Sequence, residues 1–178
     1  MTEAGAAGAA PAGAGTAAAG ESAADRLAAL GLTLPDVVAP LAAYLPAVRT
    51  GNYVYTAGQL PMAGGKLLAT GKVGAEVSAE QAAALARTCA LNALAAAAAA
   101  AGGLTAIRRI VKVTGFVASA PDFTGQPQVV NGASELLAEV FGEAGRHARS
   151  AVGTAVLPLD APVEIELIAE IDPDGQPA

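Results

Sequence analysis

The chain has 178 residues, 53% of them hydrophobic, with 10 Lys and Arg against 16 Asp and Glu and a net charge of -6. That length suits one domain with a terminal extension, and the acidic balance repels nucleic acid and anionic membranes, which counts against both as partners. Three Phe, three Tyr and no Trp leave the core to aliphatic side chains, and a single cysteine allows no internal disulfide and no Cys/His metal set, so a reducing cytoplasm is the simplest setting.

Residues 1–22 are almost wholly Ala and Gly and offer little apolar area to offset the entropy of ordering them, which predicts a disordered Ala/Gly-rich tail. The stretch has no basic start, and its Glu3 and Glu21 fit neither a secretory nor a transit signal. A single domain is expected over 23–172, followed by a flexible C-terminus over 173–178. Within the domain, Ala24–Leu30 reads as a short helix ended by Gly31, and Pro35, Pro40 and Pro46 predict an irregular segment that contains Tyr44. Asn52–Ala57 has the β-branched and aromatic content of a strand, stopped by Gly58-Gln59-Leu60-Pro61, and Gly64-Gly65 marks a turn.

Ser78 and Gln81 have capping-box spacing, so a helix is expected over Ala79–Ala101, ending at Gly102-Gly103. Its most apolar run, Ala93–Ala101, falls far short of the roughly 20 residues that cross a bilayer, so no membrane segment is expected. Ile110–Val117 reads as a buried strand broken by Pro121-Asp122-Phe123. Val129, Val130, Ala133, Leu136, Leu137, Val140 and Phe141 then recur at helical spacing up to Gly142 and Gly145. The order β, α, β, α, β, β predicts an α+β fold, a mixed sheet covered by two long helices on one face.

The last two strands carry the chemistry. Along the first, Arg149, Ala151, Gly153 and Ala155 share a face, so the arginine stands over small residues that leave room for a ligand. Guanidinium offers a planar fork of donors that fits a carboxylate. In Val163–Ile171, Glu164, Glu166 and Glu170 share a face with Ile168, and Glu164 can pass protons to and from a bound molecule. An arginine at a strand start and glutamates on a wet strand face are equally the ordinary reading of such a pair. A simple hairpin would set Glu164 near Val156, roughly 23 Å from Arg149 at ~3.3 Å per residue. Either the two strands are not direct neighbours, or another subunit completes the site.

Taken together, Tyr44, Thr56-Ala57-Gly58-Gln59-Leu60-Pro61, Val111-Lys112-Val113-Thr114-Gly115-Phe116-Val117, Asn131, Ala148-Arg149-Ser150, Leu157-Pro158 and Val163-Glu164-Ile165-Glu166 resemble the RidA (YjgF-type) family of reactive intermediate deaminases, over about Tyr44 to Ile171. The resemblance implies a chorismate mutase-like fold, a homotrimer with clefts between subunits, and hydrolysis of enamines and imines such as 2-aminoacrylate and 2-iminobutanoate to 2-keto acids and ammonia. It implies that Arg149 binds the substrate carboxylate and that Glu164 positions or activates the attacking water. Tyr44, Gly58 and Asn131 would line the cleft, and no metal or cofactor is required.

Many members have a cysteine two positions after the arginine, where this chain has Ala151; Cys89 lies mid-helix and reads as a small core residue. Gly71-Lys72-Val73-Gly74 and the stretch Asn131–Leu137, read as a helix start, resemble a less characterised branch. His147 is expected to be a packed or solvated loop residue, since no nucleophile is identifiable near it. Three functions stay open: imine deaminase, non-catalytic binder or sensor of a 2-keto acid, and endoribonuclease, the last opposed by the acidic balance.

Overall fold

Reciprocal capping starts the first helix: Asp25 N–H donates to Ser22 Oγ at 3.2 Å and Ser22 N–H donates to the Asp25 carboxylate at 3.1 Å, opening α1 (Ala23–Ala29). The computed structural model describes residues 21–37 and 43–172. The expected tail therefore lies outside the described residues except for Glu21 and Ser22, as do Pro40 and the C-terminal stretch. The same capping arrangement joins Ser78 and Gln81 at the start of α2 (Ala79–Ala101), which ends at Gly102 as expected.

The segment before Asn52 is not wholly irregular. β1 (Ala47–Thr50) turns directly into β2 (Tyr53–Thr56), with which it pairs antiparallel. β1 is an edge strand and Pro46 just precedes it, a place where a missing N–H disrupts no ladder. Gly64-Gly65 turns a small hairpin of β3 (Met62–Ala63) and β4 (Lys66–Leu67). β5 (Ile107–Ala118) starts three residues earlier than the sequence suggests, because Arg108 and Arg109 interrupt the apolar run without ending the strand. α3 (Gln126–Phe141) already includes Asn131–Leu137 in its interior rather than at its start. β6 (Ala148–Thr154) and β7 (Val163–Ile171) close the chain.

Five strands form one mixed sheet in the order β1-β2-β7-β5-β6. β5 and β6 are parallel and connected through α3, as a parallel pair requires a crossover, while β7 returns antiparallel between β5 and β2. β6 and β7 are thus consecutive in sequence but separated in the sheet by β5, which rules out the hairpin. α2 and α3 pack side by side on one face, which gives the expected α+β arrangement of a mixed sheet covered by two long helices.

Between sheet and helices the largest fully buried side chains are Leu, Ile and Val, among them Leu94, Ile110, Leu136, Leu137, Ile165, Leu167 and Ile171. Of the eleven buried residues of α2, nine are alanine, so the helix lies close to its neighbours. Gly132 of α3 sits against the backbone carbonyl of Ala83 in α2, where any Cβ would collide. Alanine also makes α2, over its full 23 residues, long and apolar enough to span a bilayer, which the shorter run counted from sequence missed; 61% of its most apolar window is buried inside this fold, the position of a core helix. Cys89 is buried there, as expected.

The other sheet face has no helix over it among the described residues. It carries Lys112, Thr114 and Phe116 of β5, Glu164, Glu166, Ile168 and Glu170 of β7, Tyr53 and Tyr55 of β2, Val48 of β1 and Val152 of β6, by strand alternation and cross-strand register.

Candidate functional site

Arg149 is the second residue of β6 and lies opposite Val113, whose side chain is fully buried under the helices, so the arginine points to the helix-covered side of the sheet edge. There α3 meets it. Arg149 Nη1 donates to Asn131 Oδ1 at 2.7 Å and to Ser134 Oγ at 3.1 Å, two residues at i, i+3 on one helix face. Both partners are neutral, and among the described residues no carboxylate pairs with this guanidinium.

His147 sits immediately behind Ser134. Its Nδ1 lies 2.6 Å from the Gly145 carbonyl oxygen and its Nε2 lies 3.2 Å from Ser134 Oγ. A carbonyl only accepts, so Nδ1 carries the proton and Nε2 of the neutral ring accepts from the serine hydroxyl. Burial is the main influence on the imidazole and lowers its pKa below the usual 6.5; the Gly145 hydrogen bond opposes this and the Arg149 charge adds to it. Asn131, Ser134, Gly145, Arg146, His147 and Arg149 line an open groove of about 410 Å³.

The row of small residues beyond Arg149 does not provide the ligand space expected from sequence. Ala151 packs against the core, Ala155 lies past the end of β6, and Gly153 faces Gln126 from the first turn of α3. Gln126 Nε2 is itself held by Ser119 Oγ at 3.1 Å and the Phe123 carbonyl at 2.7 Å. Among the described residues, the open groove lies at the Arg149 end of this row.

Glu164 occupies the second position of β7, opposite Phe116. It is two strands and three residues from Arg149, roughly 14 Å at ~4.8 Å per strand and ~3.3 Å per residue, and it points to the uncovered sheet face. Gly58 lies directly against it, and a Cβ at that position would run into the glutamate carboxylate. Burial, and then the charge of Glu166, raise the Glu164 pKa above its usual 4.5. Burial also pushes the Cys89 thiol well up, with the Glu164 charge adding to the effect, so that cysteine is an inert core residue. Tyr44 is 53% exposed in the segment before β1 and does not line the Arg149 groove.

One chain therefore brings Arg149 to Asn131, and Gly58 to Glu164, but keeps the two pairs apart. Sequence reasoning missed Ser134 and its contact with His147; the signal available was its spacing of three from Asn131 on the apolar-patterned helix. A second depression of about 320 Å³ is lined by Pro35, Asp36, Gln59, Met62 and Asn92 and contains no Lys or Arg to hold an acid. Its Asn92 amide is already occupied by the carbonyls of Leu60 and Met62, at 3.0 and 3.1 Å.

The family model described as "YjgF/chorismate_mutase-like, putative endoribonuclease" matches residues 24–171. Protein TCP17 of Trypanosoma cruzi is 44% identical over 149 residues, covering 82% of this chain and 92% of that protein. The crystal structure of the Agrobacterium tumefaciens protein Atu1372, described as of unknown function, is 52% identical with a TM-score of 0.78, covering 84% of this chain and 92% of its own. Escherichia coli TdcF, solved with bound serine, is 28% identical with a TM-score of 0.54, covering 78% of this chain and 93% of its own.

Proposed function

The chain belongs to the YjgF/chorismate mutase-like family, and from that premise we propose that it hydrolyses reactive enamines and imines of the 2-aminoacrylate and 2-iminobutanoate type to 2-keto acids and ammonia. The observation that carries this reading is Arg149, steadied by two neutral side chains in an open groove that Glu135 also lines, and ion-paired with no carboxylate among the described residues. A substrate carboxylate supplies the missing counter-charge through a bidentate contact. Bound serine in TdcF supports a ligand that carries an amino acid's carboxylate.

The reaction needs little machinery, because the imine carbon is already electrophilic. Holding the acid while water and protons are guided to one carbon suffices, and no metal or cofactor enters. Glu164 serves proton transfer in this scheme; burial, with the Glu166 charge adding to it, raises its pKa above the usual carboxylate value. At roughly 14 Å and on the opposite face, it reaches an Arg149-bound ligand only from another copy of the chain. The working form in this proposal is a homotrimer with clefts between subunits, Gly58 and Tyr44 completing each cleft. Exposed Val48, Tyr53, Tyr55 and Val152 on the uncovered sheet face support assembly through that face. A cytoplasmic setting, beside the enzymes that release such imines, completes the proposal.

A second reading, a non-catalytic trimer that binds a 2-keto acid, draws on Ala151 in the place of the frequent family cysteine. Ribonuclease activity, named in the family description, is opposed by the net charge of -6. The deciding experiment measures keto acid release while threonine dehydratase generates 2-iminobutanoate. Wild-type protein accelerates release, and Arg149→Ala loses about 10- to 100-fold in kcat/KM, the worth of ~1.5–3 kcal/mol for hydrogen bonds to a charged group. No acceleration with several imines, together with 2-keto acid binding that survives Glu164→Gln, replaces the enzyme by the binder.

A further inference from the structure

We propose that Ser134 and His147 form a proton relay that accepts the proton of the attacking water at the Arg149 groove. The inference rests on the imine hydrolysis proposed above and assigns the water's proton to a base in this chain's own groove, in addition to Glu164, which reaches the groove only from another copy of the chain.

Hydrogen-bond accounting carries the argument. The Gly145 carbonyl at 2.6 Å fixes the proton on His147 Nδ1, which leaves Nε2 as an acceptor 3.2 Å from Ser134 Oγ. The serine's one proton therefore points to the imidazole. Of its two acceptor positions, one receives Arg149 Nη1 at 3.1 Å and the other is left for a water in the groove. The hydroxyl thus links Arg149, which holds the acid, to His147, which takes a proton. The arrangement is that of a hydroxyl activated by a histidine whose second nitrogen is oriented by a fixed acceptor.

With the ligand carboxylate on Arg149, water oxygen adds to the carbon of the protonated imine as the C=N π pair moves to nitrogen. The proton that the water loses goes to Ser134 Oγ as the serine's own proton moves to His147 Nε2. The imidazolium returns a proton along the same path to the amine of the carbinolamine. The C–N bond then breaks, its electron pair leaves with ammonia, and the hydroxyl proton passes to solvent as the 2-keto acid carbonyl forms. Ser134 is the catalytic residue of the pair because it meets the water; His147 acts through it and positions its proton.

Burial is the main influence on the ring's titration, and charged groups stand around it. Arg149 faces it from β6, Glu135 of α3 lines the same groove, and Arg146 flanks it from the preceding turn, paired with Glu143 at 3.3 Å. The lowered pKa keeps the ring neutral, and so able to accept, at physiological pH.

The test uses the full chain with 2-iminobutanoate generated by threonine dehydratase. Ser134→Ala and His147→Ala each lose roughly 100-fold or more in kcat, in the range of general acid–base catalysis, while KM moves only a few-fold because Asn131 still steadies Arg149. The wild-type pH–rate profile has a limb with a midpoint below ~6.5 that His147→Ala lacks, and added imidazole restores part of the rate to His147→Ala but none to Ser134→Ala. His147→Gln serves where the alanine variant does not fold. Wild-type kcat in any of these variants, or persistence of the limb in His147→Ala, overturns the relay alone. Absence of turnover by wild type on every imine overturns the reaction and the relay with it.

Discussion

At the scale of single residues, the site depends on the difference between a cation that is steadied and one that is neutralised. Asn131 and Ser134 fix the Arg149 fork without cancelling its charge. Arg149→Lys keeps the charge but loses the planar fork, so kcat/KM for 2-iminobutanoate is expected to fall about 10-fold or more, chiefly through KM, as steady-state kinetics will show. Two half-buried ionisable groups also make stability pH-dependent in opposite directions. Glu164 has a folded pKa above its unfolded 4.5, so the folded chain binds more protons in that window and stability falls as pH rises through it. Glu164→Gln is expected to flatten that part of a denaturation-midpoint profile and to raise stability at neutral pH. His147 has a folded pKa below 6.5, so the unfolded chain binds more protons and stability is lost as pH falls below 6.5 through the folded value; His147→Gln removes that loss.

At the scale of elements, capping and close approach position α2 and α3, and α3 in turn carries Asn131 and Ser134. Removing the cap with Ser78→Ala is expected to lower unfolding free energy by about 1 kcal/mol, read from urea denaturation, with KM unchanged. Gly132→Ala has a stronger effect, because its Cβ meets the Ala83 backbone and neither helix can yield through a side-chain rotation. We expect a loss of about 1–3 kcal/mol. Since Gly132 adjoins Asn131, a weaker grip on substrate should accompany it. The helices were legible from sequence because Ser-x-x-Gln capping and the spacing of Val129, Val130, Ala133, Leu136 and Leu137 are local signals. β1 was not, since four residues after a proline carry no periodicity and become a strand only by pairing with β2. The room expected above Ala151 and Gly153 was lost for the same reason: which side chain covers a small residue is decided by the first turn of α3, not by the strand.

At the scale of the molecule, the uncovered sheet face and the separation of Arg149 from Glu164 lead to one expectation. Light scattering should give about three times the chain mass of 17.2 kDa, and Tyr55→Glu, which puts a charge beside Ile168 and Val48 on that face, should yield a smaller species with wild-type helical content and little turnover. A wild-type monomer that hydrolyses imines at full rate would remove the shared cleft from the proposal.

What the chain determined by itself is what local physics can determine: two long helices, the apolar and charged faces of β7, an aliphatic core, an inert Cys89, and the residues that carry the family resemblance. Alternation along a strand depends only on φ and ψ, so the face of Glu164 relative to Ile165 followed without any knowledge of neighbours. Only the tertiary structure decided that β5 lies between β6 and β7, that the register turns Arg149 and Glu164 to opposite faces, and that Ser134 and His147 meet beside the arginine. Those facts depend on sheet order and on where α3 crosses the sheet edge. Both are set by packing among residues distant in sequence, for which local pattern carries no signal.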